Sequence, residues 1–304
     1  MLEDAAVAAL APAADARLVD ATFGRGGHSA RLLTELGGDG ALLALDRDAE
    51  AVEYGRTRFG ADPRFRIRQL SFSAIAEVVV AEGWTAGVDG ILADLGVSSP
   101  QLDRAQRGFS FRAEGPLDMR MDATRGPTAA EWLATVTEAE LIRVLADYGE
   151  ERHARRVARA ILAAREAGQL ATTTDLAETV RAAVPGRGER GKDKATRTFQ
   201  AVRMAVNDEL GELEGFLAGA LAALRPGGRL VVIAFHSLED RAVKRFIREE
   251  ARECVCPPDF PVCRCDKVAR LRAVGKPVRP SEAECETNPR ARSAIMRVAE
   301  RLAA

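Results

Sequence analysis

The N-terminal third of the chain alternates short apolar runs with segments of helical period. The apolar runs that predict strands cover residues 17–22, 41–46, 65–70 and 88–95. Segments with apolar residues at helical spacing follow the first three runs, at residues 29–36, 48–59 and 73–82. Strands and helices that alternate in this way form βαβ units with right-handed crossovers, so that the strands are parallel. The pattern therefore predicts an α/β fold.

The middle of the chain differs, because residues 103–194 contain no run that predicts a buried strand. Helical patterns cover residues 128–134, 137–148, 151–167 and 174–183, and a charged, glycine-rich stretch at 185–194 predicts a loop. The sheet pattern then resumes with a helix at 198–224, a strand at 229–235, a helix at 238–252 and a last strand at 293–299. The simplest organisation is a Rossmann-like sheet built from residues 1–102 and 196–304, with an all-helical domain inserted at 103–195.

Composition narrows the classes of protein. The chain has 304 residues, 47% of them hydrophobic, and a formal net charge of −1. Its overall charge is therefore too small to indicate binding to nucleic acid or to membrane surfaces. It contains no uncharged apolar run of about 18 residues, as a membrane span requires. Its start carries Glu3 and Asp4 without a basic leader, which argues against a signal peptide. We expect a cytoplasmic protein.

The predicted turn after the first strand carries Gly24, Gly26 and Gly27, followed by His28. Glycine at a strand-to-helix turn lets the backbone approach a ligand closely. The second predicted strand ends in Asp46, where an acid accepts hydrogen bonds from ribose hydroxyls. The glycines lack the G-x-G-x-x-G spacing of dinucleotide sites, which favours S-adenosylmethionine over NAD. A tight turn around a packed histidine is the alternative.

Several further segments carry a resemblance that covers nearly the whole chain. They are TFGRGGH at 22–28, DLGVSSPQLD at 94–103, RGFSF at 107–111, GPLDMRMD at 115–122, YGEER at 148–152, TRTFQA at 196–201, FHSLED at 235–240 and NPRARS at 288–293. In this order they resemble the RsmH (MraW) family of bacterial methyltransferases, which act on N4 of a cytosine in 16S ribosomal RNA, at the position conventionally numbered 1402. The resemblance implies a class I methyltransferase sheet.

The resemblance also implies which residues bind S-adenosylmethionine. Gly26, Gly27 and His28 would hold the methionyl end, and Asp46 the ribose. The residues that would complete the site are Phe72 at the adenine, Asp94 and Gln101. Family members usually begin with a further segment that contains a histidine, and Lys194 stands where the family has a proline.

Two residues are candidates for the chemistry of transfer to a cytosine amine. Asp94 ends the fourth predicted strand at the edge where the ligand exposes its reactive atom, and it could accept a hydrogen bond from the amine. His236 follows the strand at 229–235 at the same edge; it either orients the base and takes the released proton, or caps the next helix and pairs with Glu239. The aromatic residue that stacks on the base would be Phe109 or Phe111.

Basic clusters support ribosomal RNA of the small subunit as the partner. They comprise Arg152, Arg155, Arg156 and Arg159; Arg187, Arg190, Lys192, Lys194 and Arg197; and Arg264, Lys267, Arg270, Arg272, Lys276 and Arg279. Each alone is typical of a solvated surface, but together around a base-modifying site they indicate phosphate contacts. A DNA amino-methyltransferase and a non-catalytic ribosome-assembly factor are the rival functions, and the oligomeric state stays open.

Four of the five cysteines lie close together, as Cys254-x-Cys256 and Cys263-x-Cys265. Four thiolates can hold zinc. The one-residue spacing is less usual than C-x-x-C, so reduced structural cysteines are the favoured interpretation and no metal site is assigned. So few cysteines do not form the disulfide framework of a secreted protein.

Overall fold

The computed structural model describes residues 1–186, 193–257 and 262–303, and a seven-stranded sheet lies at its centre. The strands are β1 (Arg17–Asp20), β2 (Ala41–Asp46), β3 (Phe65–Gln69), β4 (Val88–Asp94), β5 (Leu224–Ala234), β6 (Leu271–Ala273) and β7 (Ile295–Arg301). Their order is β3-β2-β1-β4-β5-β7-β6; the first five are parallel, and β7 is antiparallel to both its neighbours. The predicted α/β fold with a Rossmann-like sheet is confirmed.

Helices cover both faces of the sheet because its strands carry apolar side chains on both sides. One face packs against α1 (Glu3–Leu10), α2 (Gly27–Glu35) and α3 (Ala49–Phe59), and the other against α4 (Ile75–Ala81), α11 (Glu209–Ala223) and α12 (Ser237–Glu250). Successive strand residues point to opposite faces. Accordingly, Leu18 packs on the face that α1, α2 and α3 cover, and Val19 packs on the face that α4, α11 and α12 cover.

The chain forms two compact units, one of Met1–Gly96 with Leu210–Ala304 and the other of Val97–Glu209. The helices of the second unit are α5 (Ser99–Asp103), α6 (Ala129–Thr135), α7 (Glu138–Asp147), α8 (Ala154–Glu166), α9 (Thr173–Ala183) and α10 (Thr196–Asn207). Its described residues contain no strand. Thr128 and Thr137 cap α6 and α7, each accepting a hydrogen bond from a backbone N–H three residues on. The unit has a core of its own, which includes Leu141, Val157 and Leu176.

The prediction of a single helix at 198–224 is wrong, because the structure has two helices there, α10 and α11. Asp208, between them, has a φ of 47°, in the left-handed region that ends a helix. The end of α10 is tied locally, since Asn207 donates to the carbonyl of Met119 and accepts from the N–H of Met121, both at 2.7 Å. α10 belongs to the helical unit, and its Phe199 packs in the core of that unit. The sequence had assigned residues 196–304, and hence this helix, to the sheet domain.

Four short elements were not predicted: α1, α5, α13 (Glu282–Thr287) and β6. Each is shorter than the window in which hydrophobic periodicity is informative. The predicted loop at 185–194 falls largely on residues 187–192, outside the described residues. Among the described helices, none is both long enough and apolar enough to span a bilayer.

Candidate cofactor and methyl-transfer site

Three neighbouring strands end in an aspartate at one edge of the sheet. β1 ends at Asp20, β2 at Asp46 and β4 at Asp94. The chain order reverses between β1 and β4, since β2 and β3 follow one another on one side and β4 and β5 on the other. Ligands of open α/β sheets bind outside the carboxyl ends of the strands at this kind of reversal. The acids at 46 and 94 that the sequence singled out therefore come together at the expected edge.

The turn between β1 and α2 depends on glycine. Gly24 and Gly26 have φ values of 55° and 69°, which residues other than glycine rarely adopt. A Cβ on Gly26 would lie 2.6 Å from the ring of Phe23. That ring packs against Phe59 and Phe65, with centroids 6.0 and 5.9 Å away, so the turn rests on an aromatic cluster. The predicted cofactor turn is thus a rigid, backbone-lined feature.

Asp20 fastens this turn from inside and is fully buried. Its Oδ2 accepts a hydrogen bond from Ser29 Oγ at 2.6 Å, and its Oδ1 accepts one from the N–H of Thr22 at 3.3 Å. Burial raises the pKa of Asp20, while the nearby His28 and the hydrogen bond from Ser29 act against this rise. Because its carboxylate is inaccessible, Asp20 supports the site without facing a ligand.

His28, which is buried, and Asp94, which is half-buried, form a pair with free hydrogen-bonding capacity. His28 Nε2 lies 3.4 Å from Asp94 Oδ2, without the alignment of a hydrogen bond. Among the described residues, neither ring nitrogen of His28 nor Oδ1 of Asp94 has a hydrogen-bond partner. Burial disfavours the charged imidazole, but the carboxylates of Asp94 and Asp20 outweigh it and raise the pKa of His28. Buried polar atoms rarely stay unpaired, so this pair is a candidate for binding a polar ligand.

Asp46 connects the glycine turn to the second strand. Its Oδ2 accepts from the N–H of Gly24 and its Oδ1 from the N–H of Asp48, both at 2.8 Å. Burial nevertheless raises the pKa of Asp46 to about 6. A carboxylate has about four acceptor positions, so each oxygen retains one for a further donor. The geometry allows the predicted ribose contact.

Phe72 lies beside this edge, half-buried, in the short segment Phe72–Ala74. Its ring packs on Phe216 of α11, with centroids 4.9 Å apart. Two polar contacts near it were missed by the sequence analysis: Ser71 Oγ donates to Glu212, and Arg47 pairs with Glu212 at 3.5 Å. Glu212 is far from both residues in the chain, and no local pattern could have indicated these contacts.

With this geometry established, similarity to known proteins decides the family. Residues 1–302 match the model of the MraW methylase family. The chain belongs to this family. Relatives named "Ribosomal RNA small subunit methyltransferase H" are 56% identical over 297 residues in Methylococcus capsulatus, covering 97% of each chain, and 53% identical over 304 residues in Thioalkalivibrio sulfidiphilus, covering 100% of this chain and 96% of the relative. The resemblance inferred from the motifs is confirmed.

In this MraW-family chain, His236 has the structural role, which is one of the two roles that the sequence left open. It occupies the N-cap position of α12, and its Nδ1 accepts from the N–H of Glu239 at 3.5 Å. Glu239 in turn accepts from the N–H groups of Phe235 and His236, and lies 3.0 Å from His236 Nε2 without an aligned hydrogen bond. A catalytic role for His236 stays a prediction.

Three residues that the sequence assigned to the site of this methylase lie in its helical unit. Gln101 is buried in α5, where its side-chain oxygen accepts from the N–H of Ser98 at 2.9 Å. Phe109 is 7% exposed, and Phe111 packs on Phe199 with centroids 4.8 Å apart. Phe109 is thus buried, and Phe111 packs within the helical unit. The cofactor contact of Gln101 stays a prediction.

The predicted basic clusters of the methylase differ in their ionic partners. Lys267 and Arg270 contact Glu250 at 3.6 and 2.6 Å, and Arg272 contacts Glu300 at 2.6 Å, so carboxylates neutralise much of the C-terminal cluster. The cluster at the start of α8 is exposed, and among its described neighbours no carboxylate pairs with Arg155 or Arg156. Arg187, Arg190 and Lys192 lie outside the described residues.

Proposed function

We propose that this chain transfers the methyl group of S-adenosylmethionine to N4 of a cytidine in 16S ribosomal RNA, at the position conventionally numbered 1402. The observation that carries the proposal is the 52–56% identity, over nearly the whole chain, to proteins named as small-subunit ribosomal RNA methyltransferases. The unpartnered pair of His28 and Asp94 at the switch point of the sheet agrees with it. Such a protein would act in the cytoplasm on the small ribosomal subunit.

The residues at the sheet edge fit the parts of the cofactor. The first backbone N–H groups of α2, which begins at Gly27, suit the carboxylate of the methionyl end. The unpartnered nitrogens of His28 and Oδ1 of Asp94 suit the polar atoms next to it. Asp46 keeps acceptor positions for the ribose hydroxyls, and Phe72, with one side on Phe216, would pack against the adenine.

The chemistry requires positioning more than a strong base. S-adenosylmethionine, when bound, would supply an electrophilic methyl group. The N4–carbon bond would form as the carbon–sulfur bond breaks, S-adenosylhomocysteine would leave, and the proton lost from N4 would pass to Asp94 or to water. The amine of cytosine is a poor nucleophile because its lone pair is delocalised, so in-line placement matters, and such placement can supply about 7–11 kcal/mol of the barrier. Oδ1 of Asp94 would accept an amine hydrogen, and His28 would be the positioning residue that fixes this carboxylate.

The helical unit is the part that we assign to RNA recognition. Arg152, Arg155 and Arg156 form an exposed basic face at the start of α8. Such a face binds phosphates by releasing counterions, which makes binding sensitive to salt. The target base must also leave any stack it occupies before it reaches the methyl group, at a cost of a few kcal/mol.

Methyl transfer to defined acceptors tests the proposal. The purified chain is incubated with labelled S-adenosylmethionine and small ribosomal subunits from cells that lack the activity, and mass spectrometry of digested RNA locates the label. We expect label on N4 of one cytidine, and a fall of about 10²–10⁴-fold in the rate for Asp94→Asn. Asp89→Asn is the matched control, since Asp89 lies on the same strand at the opposite end and accepts from the N–H of Arg17.

The rival functions give different outcomes in the same experiment. Label on DNA instead of subunits would indicate a DNA amino-methyltransferase. Tight cofactor binding without transfer to subunits, free 16S RNA or DNA would indicate a non-catalytic assembly factor.

The RNA assignment has its own test. Arg155→Ala combined with Arg156→Ala should lower affinity for 16S RNA and reduce the slope of log affinity against log salt by about 1–2. Arg56→Ala, an exposed arginine on α3 that pairs with Glu53, is the control and should change neither quantity. An unchanged salt slope in the double variant would remove α8 from the RNA-binding surface.

A further inference from the structure

The described residues of the segment between α12 and β6 form no hydrophobic core of their own. None of its described residues from 251 to 270 is buried, and Val255, Val262 and Val268 are 54%, 67% and 58% exposed. Its ends are joined, because the N–H of Arg270 donates to the carbonyl of Glu250 at 2.7 Å. A segment that buries so little apolar surface needs another source of folding free energy, such as a disulfide or a metal ion.

The side chains that converge inside this segment are its four cysteines. Cys263 Sγ lies 3.4 Å from the Sγ of Cys254, 4.0 Å from that of Cys256 and 3.6 Å from that of Cys265. The Sγ atoms of Cys254 and Cys265 are 3.7 Å apart, and all four lie within 4.8 Å of one another. Four sulfurs arranged tetrahedrally at about 2.3 Å from a zinc ion are about 3.8 Å apart. The four sulfurs thus have the spacing of a tetrahedral thiolate site.

The backbone around the cysteines is arranged to support negative charge on sulfur. The N–H of Val255 points to Cys265 Sγ at 3.4 Å, and the N–H of Cys256 to Cys254 Sγ at 3.3 Å. The N–H of Arg264 points to Cys256 Sγ at 3.4 Å. Hydrogen bonds to the ligand atoms are the outer-shell contacts that orient metal ligands and tune them.

We propose that Cys254, Cys256, Cys263 and Cys265 bind one zinc ion, which holds the segment between α12 and β6 in shape. Four sulfur ligands at tetrahedral spacing favour zinc over harder cations. Since all four positions would be filled by protein, the ion would be structural and not catalytic. The site goes beyond methyl transfer and does not depend on it. The C-x-C spacing is unusual in sequence, but the Sγ atoms of the two pairs lie within 4.8 Å of one another.

Metal content and thiol state of the full chain test this proposal. The protein is purified without a histidine tag and without chelator, and its zinc is measured by mass spectrometry. We expect about one zinc ion per chain in the wild type and in Cys285→Ser, a control in α13 outside the cluster. Replacing all four cluster cysteines with serine should lower the zinc content by about tenfold or more. Thiol titration in denaturant with chelator should find all five cysteines free.

If the chain is purified without metal, adding metal back to the reduced protein tests whether the four cysteines bind it. Chelator-treated, reduced protein is titrated with Co²⁺, which reports tetrahedral thiolate ligation through thiolate-to-cobalt charge-transfer bands, and Zn²⁺ should displace the cobalt. Amides of Val255, Cys256 and Arg264 should then exchange more slowly with solvent. A single free thiol, which would mean two disulfides in the cluster, would overturn the proposal. So would a reduced chain that shows no such bands, or equal zinc in the four-serine variant.

Discussion

The two strand-to-helix turns that carry His28 and His236 contain the same residue types in opposite circumstances. Each places an imidazole beside a carboxylate at the carboxyl edge of the sheet; that of His28 is buried and that of His236 is half-buried. At the second turn the carboxylate of Glu239 belongs to the same helix and accepts from the N–H groups of Phe235 and His236. At the first turn the carboxylate belongs to another strand, and both ring nitrogens of His28 and Oδ1 of Asp94 lack partners among the described residues. At the second turn Nδ1 of His236 accepts from the backbone, and its Nε2 alone lacks a hydrogen-bond partner there.

The difference separates a histidine that builds the fold from one that is prepared for a ligand. A helix cap satisfies backbone groups that folding would otherwise leave unpaired, so its free energy is realised in the protein alone. Unpaired buried polar atoms cost free energy until a ligand supplies the partner. We therefore expect the first turn to bind the cofactor and the second to stabilise the fold, while a catalytic role for His236 stays a prediction.

The largest expected effect is on cofactor affinity. His28→Ala should weaken binding of S-adenosylhomocysteine about 10–100-fold, because it removes hydrogen bonds to a charged group worth about 1.5–3 kcal/mol. His236→Ala, the matched change at the other turn, should alter the affinity by less than about threefold. Isothermal titration calorimetry measures both. Equal losses in the two variants would contradict the assignment.

A smaller effect is expected from pH at Asp46. Its pKa is raised to about 6, and the ionised carboxylate is the form that accepts from ribose hydroxyls. Lowering the pH from about 7.5 to about 5 should therefore weaken cofactor binding about tenfold, because protonation must be reversed on binding. Asp46→Asn should bind more weakly and lose the part of the pH dependence centred near pH 6. A wild-type affinity that stays constant over this range would show that Asp46 does not contact the ribose.

Removing the cap at the second turn should lower the stability of the protein without changing its affinity for the cofactor. Glu239→Ala removes the acceptor of two backbone N–H groups and should lower the free energy of unfolding by about 1–3 kcal/mol. Thermal unfolding should shift downwards by a few degrees, as expected for a chain of this size. Cofactor affinity at a temperature where the variant is folded should stay unchanged. A selective loss of affinity would move Glu239 into the binding site.

The smallest expected effect is the pH dependence of stability that His28 contributes. Its pKa in the folded chain lies above the ordinary value of 6.5, so the folded state binds the proton more tightly than the unfolded state. This contribution is fully present below about pH 6.5 and is lost as the pH rises through the folded pKa. Urea unfolding of the wild type and His28→Gln should therefore differ in slope against pH just above 6.5. Parallel curves would show that the carboxylates do not stabilise the charged imidazole.

The sequence predicted those parts of the site that depend on strand ends. Asp46 and Asp94 lie at the same edge of the sheet, on the strands that flank β1, because parallel strands in an alternating α/β pattern all end at one edge. The glycine turn was equally predictable, since Gly24 and Gly26 meet a backbone requirement written in the local sequence.

The remaining features depend on contacts between distant parts of the chain. The break at Asp208 follows from how Asn207 binds the loop around Met119, and amphipathic periodicity carries no sign of it. Phe111, a candidate for stacking on a base, packs on Phe199, which is distant in the chain, and no local pattern predicts this contact. The convergence of four sulfurs likewise depends on the path of the backbone and not on the spacing of the cysteines.

Nuclear magnetic resonance of the histidine rings tests the assignment of the two turns most directly. The chain has only three histidines, so ¹⁵N-labelled imidazole signals can be assigned by substituting each one in turn. On addition of S-adenosylhomocysteine, the ring signals of His28 should shift strongly, and its pKa should change as its nitrogens gain a partner. The signals of His236 should move little. A strong shift at His236 with none at His28 would contradict the assignment and place the ligand at the second turn.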